Sequence, residues 1–171
     1  MTSAELERAK ARYREARSQA CRLAVDSLSS FLEVDFHLRE WSRKALEAID
    51  HQWGSSEFDW GEIARRYREP GIAHIAIWSP DDRLSGVFMA TIHAKSVKLQ
   101  WLEGDPRVDC PLKGKRALVA LEMISNYAQL LGRPEICLDR VEDDVIPLYV
   151  EGYGFTLVTP NKGSPYLKKA V

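Results

Sequence analysis

The sequence predicts an α/β domain built on a mixed central sheet and preceded by a long N-terminal helix. Three observations carry that expectation. A segment from Ala4 to about Ser30 has no Pro or Gly and is rich in Ala, Arg, Glu and Leu. Three strand-like segments then follow one another through short connections, and behind them comes a strand, helix, strand succession. With 171 residues the chain has room for one ordinary domain and an appendage of a few dozen residues. The division expected is a helical extension over 1–30 and a domain over 31–171. Apolar residues at 45% and charged residues at 29% exclude a disordered chain. A formal net charge of −1 argues against a protein dedicated to coating nucleic acid.

Cys21, Cys110 and Cys137 are widely spaced, with no CxxC, so neither a disulfide scaffold nor a zinc site is expected. The charged start MTSAELERAKARYREARSQ lacks the apolar core of a signal peptide, and no run approaches the roughly 20 apolar residues of a membrane span. A cytoplasmic location with reduced thiols is the expectation.

In the first helix Leu6, Ala9, Tyr13, Ala16, Ala20 and Leu23 draw a narrow stripe that fits one partner helix, either in the same chain or in a second copy as a homodimer. Val34, Leu38, Trp41, Ala45 and Ile49 recur at helical spacing and predict a second helix over Val34 to His51. Asp59 caps a short third helix ended by Glu69-Pro70-Gly71. Strands are expected over Ala73 to Ser79, Leu84 to Ala94 and Val97 to Leu102, as an antiparallel meander. An amphipathic helix through Leu118, Leu121, Ile124, Tyr127 and Leu131 leads to a strand over Glu135 to Val141, making a parallel crossover. Asp143 or Asp144 caps a short helix through Tyr149, and strands over Phe155 to Thr159 and Pro165 to Lys169 close the chain.

The segment LYVEGYGF, Leu148 to Phe155, resembles the "LYEKLGF" ending of the last helix in the GCN5-related N-acetyltransferases, with one extra residue before Gly-Phe. The strand EICLDRV before it and the loop PLKGKRALVALEMI add to the resemblance, which covers roughly residues 31 to 171. The resemblance implies a mixed sheet with helices on both faces, and transfer of acetyl from acetyl-CoA, as co-substrate, to a primary amine in a ternary complex. Lys113, Gly114, Lys115, Arg116 and Ala117 stand where that family's phosphate loop enters its helix, a natural anion site. The family pattern is altered here, because Pro111 and Arg116 fill its first and last positions. Leu102 ends the strand that would pair with pantetheine and hold the oxyanion.

Tyr149 takes, by resemblance, the role of acid toward the departing sulfur, with Tyr153 as the fallback. A family asparagine is replaced by Glu142. Glu103 is the carboxylate best placed as general base, with Asp105, Asp109, Glu142 and His93 as competitors. Trp41, Trp53, Phe58 and Trp60 either pack a core or shape an acceptor cleft, and Arg8, Arg12, Arg17, Arg65, Arg66 and Arg68 read as a solvated face. The acceptor is a small amine or a protein amine; an aminoacyl-tRNA is less favoured by the charge. The alternative is a non-catalytic module of the same fold that binds a protein partner through its N-terminal helix.

Overall fold

The computed structural model describes residues 1–171. Helix α1, Ser3–Leu32, starts at a capping box: the Thr2 hydroxyl accepts from the Glu5 amide at 3.1 Å, and the Glu5 carboxylate accepts from the Thr2 amide at 2.6 Å. It stops at Glu33, whose backbone turns left-handed at φ 54°. The buried line of α1 runs through Ala16, Ala20, Ala24, Leu28 and Leu32, a row at every fourth residue that slants around the helix. Leu23, placed on the stripe by its spacing, therefore lies off it and is 40% exposed. Small alanines let α1 lie close against helix α4, Arg116–Leu130, and Ser27 bonds Glu122 between them at 3.0 Å. These α1 residues share one hydrophobic core with the sheet and α4.

The helix expected over Val34 to His51 is corrected by the structure. His37–Glu40 forms strand β1, and helix α2, Arg43–Ala48, begins only after Ser42. Phe36 and Leu38 are buried while Arg39 is exposed, a period of two that the helical spacing of Val34, Leu38, Trp41 and Ala45 concealed. Pairing with the sheet outweighs the local pattern. A π-helical turn, Ile49–Trp53, continues α2, and helix α3, Trp60–Arg66, starts at Asp59, whose carboxylate accepts from the Glu62 amide. Arg17 is not part of a solvated face: it is buried, bonds Glu40 of β1 and donates to the Pro70 carbonyl at 2.6 Å.

Strands β2 (Ala73–Ser79), β3 (Arg83–Ile92), β4 (Ser96–Gly104), β5 (Glu135–Asp139), β6 (Thr156–Val158) and β7 (Tyr166–Ala170) complete a seven-stranded sheet in the order β1-β2-β3-β4-β5-β7-β6. Every neighbouring pair is antiparallel except β4 with β5, which α4 joins as a crossover. One face carries α1 and α4 over an aliphatic core that includes Ile75, Ile77, Phe88 and Val97. The other carries α2 and α3 over a core rich in tryptophan, with Trp53, Trp60 and Trp78 buried. No helix is long and apolar enough to cross a membrane. The three cysteines are buried and free.

Candidate active site

The geometry begins with a strand that loses a neighbour. β5 pairs with β4 only from Ser96 to Leu99, and from Gln100 to Gly104 β4 keeps β3 alone. The Asp105 amide bonds the Ser85 carbonyl of β3, which fixes the alternation of the ladder. By that alternation the N–H and C=O groups of Leu102 and Gly104 turn away from β3, into the opening that β5 leaves. These are backbone groups without a partner on a half-covered strand, which can pair with an extended ligand.

At the mouth of the opening stands the start of α4. Its first internal bond runs from the Val119 amide to the Lys115 carbonyl, so the amides of Arg116, Ala117 and Leu118 have no acceptor in the chain. The Gly114 amide has none either, and Gly114 sits at φ 81° with open space where a side chain would stand. Lys113 is exposed, and neither Lys113 nor Lys115 joins an ion pair. Four free amides, two free ammonium groups and a glycine that admits close approach suit an anionic group such as a pyrophosphate.

Arg116 behaves differently from its neighbours in the loop. Gly86 and Gly104 are partners across β3 and β4, and the hollow they leave receives the Arg116 guanidinium; a methyl group on Gly104 would strike it. There it donates to the Asp105 carbonyl at 2.8 Å and approaches the Ser85 carbonyl and the Cys110 sulfur. It therefore ties the loop to the sheet from beneath. Nothing in the local sequence showed this, because the two glycines meet only through strand register.

Glu103 lies between the sheet and the loop before α3. Its carboxylate accepts from the Glu57 amide at 2.7 Å, the Phe58 amide at 3.3 Å and the Trp60 indole at 2.7 Å. Trp60 stands edge-on to Trp41 and to Phe58, and the Trp53 indole donates to the Leu84 carbonyl. The aromatic group is thus a core whose rim, at Trp41 and Phe58, reaches the surface.

Of the competing bases, Asp105 is fully buried and held by Arg83 and Arg107; burial alone would raise its pKa, but the Arg107 and Arg83 bonds outweigh that and lower it. Asp109 is paired with Arg83, Glu142 is exposed, and His93 sits at the opposite end of β4 beside Thr91.

Tyr149 is half-buried, its ring edge-on to Tyr153 and Phe155 at 5.6 and 5.8 Å. No group of the chain bonds its hydroxyl. Burial, and Tyr153 after it, hold its phenol above the ordinary value of 10. The short helix expected from Asp143 or Asp144 through Tyr149 starts later, at Ile146 after a turn over 143–145, and continues as a π-helical turn over Leu148–Gly152. The extra residue before Gly-Phe is absorbed there: the Tyr153 and Phe155 amides both return to the Tyr149 carbonyl, and Phe155 still enters the core.

No protein-family profile matches the sequence, and no curated protein does. Solved structures do match. Spermidine/spermine N-acetyltransferase from Vibrio cholerae superposes with a TM-score of 0.55 at 13% identity, over 82% of this chain and 93% of its own. A ribosomal-protein-alanine N-acetyltransferase from Escherichia coli gives 0.55 at 17% identity, over 80% and 93%. An N-acetyltransferase from Thermoplasma acidophilum, in complex with coenzyme A, gives 0.50 at 18%, over 80% and 99%. The fold is that of the GCN5-related N-acetyltransferases, a mixed sheet with helices on both faces and a long helix ahead of its first strand.

Proposed function

We propose that the protein is an acetyl-CoA-dependent N-acyltransferase that moves acetyl directly to a primary amine in a ternary complex. The observation that carries this reading is the meeting, at the open half of β4, of outward backbone groups at Leu102 and Gly104 with the free amides at the start of α4, which Arg116 ties to that strand; Tyr149 joins them by the family resemblance. Similar structures that are acetyltransferases, one of them holding coenzyme A, support it in kind.

Acetyl-CoA supplies an acyl carbon activated as a thioester. Gly114, Arg116, Ala117 and Leu118 donate their amides to the pyrophosphate, and Lys113 and Lys115 add charge. Arg116 keeps that loop seated on the sheet. Leu102 pairs with the pantetheine arm, and its amide donates to the carbonyl oxygen as the amine nitrogen attacks and negative charge develops. As the C–S bond breaks, Tyr149 gives its phenolic proton to the sulfur. Glu103 holds the Glu57 to Trp60 loop that borders the acceptor side, and takes the proton of the amine through water.

Titrating the protein with acetyl-CoA in a calorimeter, with free CoA and 3′-dephospho-CoA as controls, tests the reading. Micromolar binding followed by acetylation in an amine and peptide screen supports it. Absence of binding to folded protein sinks it and favours the non-catalytic module, and light scattering on the same sample reports whether a homodimer forms.

A further inference from the structure

Strand β1 is an edge strand, and its outer side is open. The Trp41 amide bonds the His74 carbonyl of β2, which continues the β1–β2 register. Alternation then makes His37 and Arg39 the residues bonded to β2, and turns the N–H and C=O groups of Leu38 and Glu40 outward. No bond from the rest of the chain meets them. β1 carries neither a bulge nor a proline; it is short and holds the charged Arg39 and Glu40, so its free edge suits a short segment rather than a long strand.

Alongside the edge runs a groove of about 480 Å3 whose second wall is the flank of α1. Its floor is small and apolar, from Cys21, Val25 and Leu38. Burial first, and Glu40 next, push the Cys21 thiol up to about 12, so the floor stays neutral at physiological pH. Its rim is basic. Arg14, Arg22 and Arg39 are all exposed, Arg22 in a long 3.9 Å contact with Glu15, while the carboxylate of Glu40 is already taken by Arg17, leaving Asp26 as the one acid lining the groove without a partner. β1 has four residues, so the edge is about 13 Å long, the reach of a four-residue extended segment.

We propose that this groove binds an extended acidic peptide segment of a partner protein, which adds to the sheet as an eighth strand beside β1. Two backbone pairs form, at Leu38 and at Glu40. The acidic side chains at alternate positions all lie on the side toward α1, where Arg14 and Arg22 meet them above the small apolar floor of Cys21 and Val25. The occupant is a partner segment because the basic rim repels its own copy, so a β1–β1 contact between two chains would oppose like charges. The site lies at the far edge of the sheet from the β4 opening, and its occupation does not depend on the catalytic reading.

The experiment uses the full chain and two synthetic eight-residue peptides with blocked ends, one alternating Glu and Val and one alternating Lys and Val. Fluorescence anisotropy is expected to show binding of the Glu peptide and at least 10-fold weaker binding of the Lys peptide, with the Glu peptide released as salt rises. Binding should slow hydrogen exchange at the Leu38 and Glu40 amides. The double change Arg14→Glu with Arg22→Glu should weaken the Glu peptide at least 10-fold. Ser18→Trp, at an exposed helical position that lines the groove, should do the same by filling it. Both variants keep the buried face of α1, and circular dichroism checks that they fold. Equal binding of the two peptides, an affinity indifferent to both variants, no protection at Leu38 and Glu40, or dimerisation through β1 in place of peptide binding would each overturn the proposal.

Discussion

The two halves of β4 are chemically alike and structurally opposite. From Ser96 to Leu99 the strand has neighbours on both sides, with Val97 and Leu99 buried under α4 and Lys98 paired to Asp139 at 3.0 Å. From Gln100 to Gly104 it has one neighbour, and none of its residues is buried. The closed half spends its backbone groups on the fold, whereas the open half leaves them for a ligand. A protein can leave so many donors unsatisfied only where water or a substrate reaches them. The division of a single strand therefore separates stability from chemistry.

Substitutions should respect that division, and the largest effect belongs to the closed half. Leu99→Ala removes a buried side chain there and should lower unfolding free energy by about 2–5 kcal/mol in denaturant titration, with acetylation per folded molecule unchanged. Outside β4, Tyr149→Phe should reduce turnover about 10-fold or more under the proposed mechanism, while the melting temperature holds. Because burial raises the phenol's pKa, the alkaline fall in kcat should lie above pH 10 in the parent and vanish in the variant. An unchanged rate would remove Tyr149 from the mechanism. Gly114→Ala, at φ 81° with no steric obstacle, should reduce stability by about 1 kcal/mol and raise the KM for acetyl-CoA more than it lowers kcat. A change in stability alone would take the loop out of phosphate binding.

The smallest effect concerns β2, which lies across β3 from β4. His74 stacks on Trp41 and leaves its Nε2 buried without a partner; burial first, and Arg17 next, hold its pKa below 6.5. The unfolded chain then binds more protons than the folded one as pH falls past 6.5. Stability contributed by neutral His74 is complete above that pH and is lost toward the lower folded value. Melting curves from pH 7 to 5 should show a decline that His74→Gln reduces. An equal decline in the variant would assign it to His37 and His93, whose values burial also lowers.

Legibility in the sequence followed the range of the forces involved. The α4 stripe and the strands over 73–79 and 135–139 were readable, because periodicity and turn residues report local burial. β1 was not: four residues whose place depends on β2 carry too short a pattern to compete with the helical spacing that surrounds them. The loop from Lys113 to Ala117 was legible as a helix start, but the inward turn of Arg116 depends on Gly86 meeting Gly104. The bonds from Glu57, Phe58 and Trp60 to Glu103 likewise join segments more than forty residues apart. The sequence singled out Glu103 at the end of its strand and could not show which groups bind its carboxylate.

The π-helical turn at Leu148–Gly152 has a further consequence for how this segment is compared with others. Because it takes up one residue without moving Tyr149 or Phe155 out of contact, the two aromatic rings keep their separation while the count between them changes. Distance along the chain is no longer a ruler for distance in space at this point.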